Sequence, residues 1–359
     1  MDGYLILADG KTFRGHLNQS IDKVLCRVVF NTATVGHAEL IQDPALADQG
    51  LVLTFPEVGN RGLTAREADR KPAVKALIVR QLYNGPVEDK KGEDWVAYCQ
   101  RTGLPVLSGV DTRSLAAYIR ENGIMNGLIC SEHPTHFSDI RDEIISFKPV
   151  PPARQATASA IRRLGASENP TGALLALLDY GVAPAFVERL LEAGYQLALC
   201  PPTSAPEAVL STKPRAILLS NGPDSFLEHE ELASALTALL EEAQRHACPV
   251  IGLGLGHLLL AQAEGLRITP LEAGSSGGSR PVVRLADGKI LQVVAHNYFA
   301  IDPDSLSEEE HVIFRHLNDE LPMGISYADG LFKGYSFDPT LLVEPGVSES
   351  VTLTSFLEG

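Results

Sequence analysis

The segment from Pro249 to Leu260 has the pattern of a nucleophile elbow. An apolar run is followed by glycines at positions 252, 254 and 256 and then by an apolar helix start. In such an elbow, small residues on both sides of a central residue permit a tight turn, which exposes the central side chain beside the first amides of the helix. Those amides favour a thiolate or an oxyanion. Here the central residue is Gly254, which supplies no nucleophile.

Two other interpretations of this segment are disfavoured. Gly252 and Gly254 could begin a dinucleotide-binding fingerprint, but His257 stands at the third glycine position and the motif lies late in its half of the chain. His257 could be a catalytic base, but a residue this early in an elbow helix more often packs or caps. Neither a nucleotide site nor a histidine base is therefore predicted.

Other nucleophiles and metal ligands have weak support. Ser275 or Ser276 with His296 could form a relocated hydrolase site, although glycine-serine loops are more often turns. The cysteines are odd in number and at least 31 residues apart, which suits neither a disulfide framework nor a metal knuckle. We expect them to be reduced and mostly buried. The histidines have no recognised ligand spacing, so no metal site is predicted.

The elements around the elbow alternate between short apolar strands and amphipathic helices. This alternation favours an α/β fold with a mostly parallel central sheet. A hairpin near Asp287-Gly288 is expected to interrupt it. The predicted strands are 174–178, 196–199, 216–220 and 249–251. The predicted helices are one with Pro184 in its first turn and Gly194 past its end, and one over 230–246.

The first half has a different pattern. Short apolar runs and turn residues predict a β-rich start, and a helix is predicted from Thr112 to a stop at Gly123. Proline-rich, aperiodic sequence then marks a joint. The predicted organisation is a first domain over 1–150, a linker over 151–172 and a second domain over 173–359.

Composition narrows the class of partner. The 359 residues carry a net charge of −15 with a pI near 5.1, and no basic patch is evident, so nucleic acid is not an expected partner. The N-terminus has no basic-then-apolar leader pattern, and no window approaches 18 apolar residues. A soluble, cytoplasmic protein is expected.

Two parts of the sequence resemble one known family. Residues 249–260 resemble the active-site strand and helix of class I glutamine amidotransferases, with Gly254 in place of the cysteine. Asp179-Tyr180-Gly181-Val182 and Ser220-Asn221-Gly222-Pro223 extend that resemblance. The first half resembles the N-terminal domain of the carbamoyl-phosphate synthase small subunit. The matching stretches there are 7–10, 29–32, Gly36, Glu39, 43–44, 53–56, 59–60 and 111–113.

The resemblance implies an activity and a partner. Members of this family hydrolyse glutamine with a cysteine, a histidine and a glutamate, and pass ammonia to a large, ATP-using synthetase subunit. Such enzymes serve pyrimidine and arginine biosynthesis. In this chain Gly254, Asp338 and Thr340 stand at the positions of the three catalytic groups. No catalytic residue is therefore predicted active, and no cofactor is expected in this chain.

The substrate pocket of the family is altered as well. Asp224 replaces a glycine of the oxyanion hole, and Tyr298 replaces a residue that leaves room for substrate. Residues 273–279, which contain glycine and serine, stand where the family has a glutamine-contacting stretch rich in glycine and histidine. The predicted vestigial pocket consists of Gly222, Asp224, Leu255, Ser275, Ser276, Gly277, Gly278, His296, Asn297 and Tyr298.

Three functions remain open from the sequence. The first is a small-subunit-like protein with an inactive glutaminase site, which acts as a structural or regulatory partner of the large subunit in a heterodimer. The second is a stand-alone regulatory paralogue that binds a small molecule in the altered cleft. The third is a hydrolase with relocated catalytic residues.

Overall fold

The computed structural model describes residues 1–85, 87, 91–148, 160–165, 173–224, 227, 230–307 and 312–338, with the side chains of 230, 272–279 and 296 left out of the description. The chain divides into two compact units. One contains Met1–Val150 with Glu272–Gly278, and the other contains Pro151–Leu271 with Ser279–Gly359.

In the described residues, the first unit contains a closed barrel in the order β1-β2-β6-β5-β4-β3-β7. Alternate strand residues such as Leu5, Leu7 and Val28 are fully buried in its apolar core, as the two-residue period of a strand requires. The β-rich start is therefore confirmed. The strands are β1 Asp2–Leu7, β2 Thr12–Leu17, β3 Lys23–Asn31, β4 Gln49–Val58, β5 Ala76–Leu82, β6 Val106–Ser108 and β7 Met125–Cys130.

Helices connect these strands. The predicted helix is confirmed as α4, whose first turn is capped by Asp111 Oδ1 accepting from the Ser114 amide, and Gly123 follows its end. The helices are α1 His37–Ile41, α2 Ala65–Ala68, α3 Trp95–Thr102, α4 Thr112–Asn122 and α5 Ser138–Ser146, with a 3-10 turn at Pro44–Leu46.

The second unit is built on one sheet, with the order β14-β13-β15-β16-β17-β12-β11-β9-β10-β8 in the described residues. The five strands from β17 to β10 in that order are parallel, and antiparallel strands extend both sides. The strands are β8 Arg162–Leu164, β9 Leu174–Leu178, β10 Gln196–Cys200, β11 Ala216–Leu219, β12 Val250–Leu253, β13 Ile268–Arg284, β14 Ile290–Ile301, β15 Val312–His316, β16 Pro322–Tyr327 and β17 Phe332–Tyr335.

Both faces of the parallel strands are buried. In β9, Leu175 and Leu177 face one apolar cluster while Ala176 and Leu178 face another, which explains why the strand reads as a continuous apolar run. The predicted α/β fold, with a β-rich first domain and a mostly parallel sheet in the second, is confirmed. The helices are α6 Pro184–Glu192, α7 Pro206–Leu210, α8 Glu230–Arg245 and α9 Leu255–Ala263, with 3-10 turns at Pro303–Ser305 and Ala328–Gly330.

A hairpin at Gly288 and an edge strand, β8, lie at opposite ends of the sheet order. The predicted hairpin is confirmed: the Arg284 amide donates to the Lys289 carbonyl across a turn in which Gly288 has a φ of 69°. The segment 151–172, predicted as a linker, contributes strand β8, which pairs with β10 at the sheet edge. Its residues Arg162 and Arg163 have no apolar alternation, so the sequence carried no strand signal there.

Candidate functional site

The candidate site follows the carboxyl ends of the parallel strands. β9, β11, β12 and β17 are neighbours in the sheet, and the residues after them are Asp179, Ser220, Gly254 and Ser336. Parallel strands end at the same edge of a sheet, which is where open α/β folds bind their ligands. The motifs that the sequence singled out therefore converge at this edge.

The elbow retains the backbone shape of a nucleophile turn. Gly254 separates β12 from α9 and has φ 53° and ψ −111°, a conformation that residues with a side chain rarely adopt. Its amide donates to the Tyr335 carbonyl at 2.8 Å, and its carbonyl accepts from the His257 amide at 3.1 Å. The turn is thus fixed by β17 on one side and by the first turn of α9 on the other.

The flanking glycines allow the turn to pack tightly. A Cβ at Gly252 would lie 2.4 Å from the Gly256 carbonyl oxygen, and a Cβ at Gly256 would lie 2.3 Å from the Leu219 carbonyl oxygen. Both obstacles are backbone atoms. The helix can approach β12 and β11 this closely only because both positions are glycine.

Asn221 fills the space beside Gly254. Its Oδ1 accepts a hydrogen bond from the Leu255 amide at 2.9 Å. A Cβ built on Gly254 would lie 2.2 Å from the same Oδ1 atom. The carboxamide therefore occupies the place where a side chain at position 254 would begin. Sequence reasoning missed this role of Asn221, because it depends on which way a loop side chain turns.

The loop that carries Asn221 is itself held in place. Ser220 Oγ accepts from the Tyr180 amide at 2.9 Å and donates to the Asn221 carbonyl at 2.7 Å. A Cβ at Gly222 would lie 2.2 Å from the Tyr180 carbonyl oxygen, so this residue must be small. Asp224 lies two residues further on and is half-buried.

Asp338 forms an ion pair in this structure. Its Oδ2 lies 2.6 Å from Nη2 of Arg189 on α6. Of the two side chains, that of Asp338 is 23% exposed and that of Arg189 is 28% exposed. The guanidinium also lies over the ring of Phe186, 6.0 Å from its centre. The carboxylate after β17 is therefore engaged by α6.

The comparisons with known proteins cover nearly the whole chain. Residues 5–129 match the family description "Carbamoyl-phosphate synthase small chain, CPSase domain", and residues 176–339 match "Glutamine amidotransferase class-I". The carbamoyl phosphate synthase small chain of Caldanaerobacter subterraneus subsp. tengcongensis is 30% identical over 91% of this chain and 88% of its own length. This chain belongs to the carbamoyl-phosphate synthase small-chain family. The predicted membership is thereby confirmed.

Two further relatives carry related names. The small chain of Pectobacterium atrosepticum is 30% identical over 97% of this chain and 94% of its own length. The arginine-specific small chain of Bacillus subtilis is 28% identical over 98% of this chain and 94% of its own length. The similarity therefore spans both halves of the small chain.

The structure describes the side chains of only some of the remaining predicted site residues. Leu255 is buried at the start of α9, and on β14 Tyr298 is buried while Asn297 is half-buried. Ser275, Ser276, Gly277 and Gly278 belong to β13 and His296 to β14, but their side chains lie outside the description. Thr340 lies outside the described residues. The described contacts thus join Gly254, Leu255, Asn221 and Gly222 into one cluster.

The cysteine thiols of this chain are buried. All five cysteines are free and buried, as expected. Burial raises the pKa of Cys26 and Cys99 to about 12 and that of Cys130 and Cys200 to about 11, and it also raises the pKa of Cys248. Cys248 precedes β12 and so lies at the opposite end of that strand from the elbow. None of them offers a thiolate near neutral pH.

His257 packs inside the protein. It is 1% exposed, and a Cβ at Gly334 would lie 2.2 Å from its Nδ1. Burial lowers its pKa to about 3, and its Nδ1 has no hydrogen-bond partner among the described residues. The prediction that His257 packs is confirmed.

Two kinds of feature are absent from the described residues. These residues contain no group of three or more histidine, cysteine, aspartate or glutamate side chains placed to hold a metal ion. Their helices include none that is long and apolar enough to cross a membrane.

Proposed function

We propose that this small chain has lost glutaminase activity and acts as a structural or regulatory partner of a large synthetase subunit. The observation that carries the proposal is Gly254 at the centre of a retained nucleophile elbow. Covalent hydrolysis of an amide needs an electron pair at that point to attack the carbonyl carbon. Glycine presents only hydrogen there.

The surrounding groups support the proposal. Asp338, at the position implied for the histidine base, is paired with Arg189. The Leu255 amide, which follows the nucleophile position and could stabilise an oxyanion, already donates to Asn221. Removing triad members from a hydrolase leaves a residual acceleration on the order of 10³–10⁴ over water. This remaining acceleration depends on an intact oxyanion hole and an intact substrate pocket. The hydrogen bond of the Leu255 amide to Asn221 and the ion pair of Asp338 support the proposal that little of this acceleration remains.

The proposed partner follows from the family. Relatives named as small chains match this chain over nearly its full length, including the first domain that precedes the amidotransferase part. We propose a cytoplasmic heterodimer in which the large subunit binds ATP and uses free ammonia. The name of the Bacillus subtilis relative is compatible with arginine biosynthesis, and pyrimidine biosynthesis is the other proposed pathway.

A paired assay tests this function. Glutamine hydrolysis and carbamoyl-phosphate synthesis are measured with the purified chain, with and without the large subunit of the same organism, from glutamine and from ammonia. We expect a complex at micromolar concentration, synthesis from ammonia, and no synthesis from glutamine. Synthesis from glutamine would overturn the proposed loss of activity, and failure to associate would overturn the proposed partnership.

Two further measurements address the two alternatives. A chain that binds no large subunit but is stabilised by a small molecule in a thermal-shift screen would be a stand-alone binding protein. Ammonia release that disappears in Ser276→Ala or His296→Ala would reveal a relocated hydrolase.

A further inference from the structure

The group beside Gly254 is chemically similar to the side chain of glutamine. Asn221 ends in a carboxamide, and its carbonyl oxygen lies 2.9 Å from the Leu255 nitrogen. An amide carbonyl or an oxyanion at this elbow would use the same N–H group, because α9 begins there. Asn221 therefore satisfies the donor that an external carbonyl would need.

We propose that Asn221 is an internal occupant of this carbonyl-binding position, an autoinhibitory contact that closes the elbow to small carboxamides and carboxylates. The proposal deepens the proposed function and rests on it, because the contact concerns the same inactive site. The void left at residue 254 is what admits the carboxamide: a Cβ there would lie 2.2 Å from Oδ1 and 2.7 Å from Cγ of Asn221.

An internal occupant has an advantage over an external ligand. The backbone of Asn221 is already fixed by the Ser220 hydroxyl, and the adjacent Gly222 is in close contact with the Tyr180 carbonyl. Only the side-chain torsions of Asn221 must be ordered, whereas a free ligand loses translational and rotational freedom. A free carboxamide must also break the hydrogen bond between Asn221 and Leu255 before it can bind.

The first test measures the protection of the Leu255 amide against hydrogen exchange in wild type and in Asn221→Ala. We expect exchange at Leu255 to become about 3- to 10-fold faster in the variant, because one hydrogen bond is lost. The Gly256 amide, which donates to the Ser220 carbonyl at 3.1 Å, is an internal control and should not change. Unchanged protection at Leu255 would overturn the proposal.

The second test introduces a thiol at the elbow. Gly254→Cys is compared with Gly254→Cys combined with Asn221→Ala, and the labelling rate of the new thiol by iodoacetamide is followed by mass spectrometry. The native cysteines are buried, so their background should be low. We expect the double variant to react about 3- to 10-fold faster, because in the single variant the carboxamide pushed aside by the new side chain still lies beside the Leu255 amide, whereas in the double variant it is absent. Equal rates would overturn the proposal.

Two controls separate this contact from other effects. Asn122→Ala, in the background of Gly254→Cys, removes an exposed asparagine whose Nδ2 donates to the Tyr118 carbonyl on α4, and it should leave the labelling rate unchanged. Glutamine hydrolysis by the wild-type chain is measured in parallel. Hydrolysis would contradict the proposed function, whereas unchanged exchange and equal labelling would contradict the internal occupant alone.

Discussion

At the scale of single residues, Gly254 preserves the shape of an elbow without its chemistry. A residue with a side chain held at φ 53° and ψ −111° stores strain, and active sites accept such strain because it presents a nucleophile. Glycine adopts the same conformation without that cost. Under the proposed function, glycine in place of the nucleophile would remove activity and relieve strain in one step.

A substitution at Gly254 should cost more than the backbone strain alone. Gly254→Ala is expected to lower the free energy of unfolding by about 1–3 kcal/mol through strain, and by about 0.5–1.5 kcal/mol more through the displaced hydrogen bond of Asn221. Gly265→Ala is the matched control, since Gly265 has φ 85° and nothing within 4 Å of a Cβ. Urea unfolding measures the loss of unfolding free energy in each of the two variants. Equal losses in Gly254→Ala and Gly265→Ala would show that Asn221 does not oppose the new side chain.

His257 should make stability depend on pH. In the unfolded chain it binds a proton below about pH 6.5, whereas burial lowers its pKa in the folded chain to about 3. Between these values unfolding takes up a proton. The free energy of unfolding should therefore fall as the pH falls below about 6.5, by up to about 1.4 kcal/mol per pH unit from this group.

The contribution of His257 can be isolated with His257→Leu. Urea unfolding at pH 7, 6 and 5 should show a smaller loss of stability toward low pH in the variant than in wild type. His37, whose pKa burial also lowers, is present in both proteins and cancels in the comparison. Parallel pH profiles would rule out the buried, neutral state of His257.

At the scale of elements, the sequence predicted those strands, helices and turns that have a local signal in hydrophobic periodicity or turn residues. The strand of residues 174–178, helix α4 and the hairpin at Gly288 each have a local signal, and each is confirmed. Strand β8 has no such signal, because its pairing with β10 comes from tertiary contact.

The elbow motif was predictable in the same way, but its contacts were not. Glycine spacing alone indicates a tight turn at Gly254. The turn of the Asn221 side chain toward Leu255 and the pairing of Asp338 with Arg189 depend on side-chain directions across separate elements. A single sequence carries no local pattern for such contacts.

The pair of Arg189 and Asp338 joins α6 to the segment after β17. Both side chains are partly exposed, so we expect a coupling of about 0.5–1 kcal/mol in a double-mutant cycle of Arg189→Met and Asp338→Asn, decreasing with added salt. The control is the exposed pair of Arg141 and Asp142, whose atoms are 3.5 Å apart and which should show no measurable coupling. Zero coupling for the first pair would mean that it contributes nothing to stability.

At the scale of the whole molecule, the second domain keeps the framework on which an elbow of this kind is built. The parallel sheet, the elbow and the close approach at Gly252 and Gly256 are all present. Family similarity also extends through the first domain. This combination is expected if selection retains a folded small chain for a partner while glutamine hydrolysis is no longer required.

Restoring the three catalytic groups should therefore restore little. The variant Gly254→Cys with Asp338→His and Thr340→Glu is expected to show no more than residual glutaminase activity. Replacing Asp338 by histidine removes the ion-pair partner of Arg189, and the new cysteine must displace the side chain of Asn221. Release of ammonia from glutamine measures the glutaminase activity of the variant. Recovery to the rate of an active small chain would contradict the prediction that Asp224, Tyr298 and Asn221 also obstruct the site.

The central claim is that no group of this small chain attacks glutamine. The most direct measurement is the intact mass of the chain after incubation with glutamine and the large subunit, together with the ammonia released. We predict an unmodified mass and no ammonia above the rate of the large subunit alone. A covalent glutamyl adduct on this chain would contradict the account.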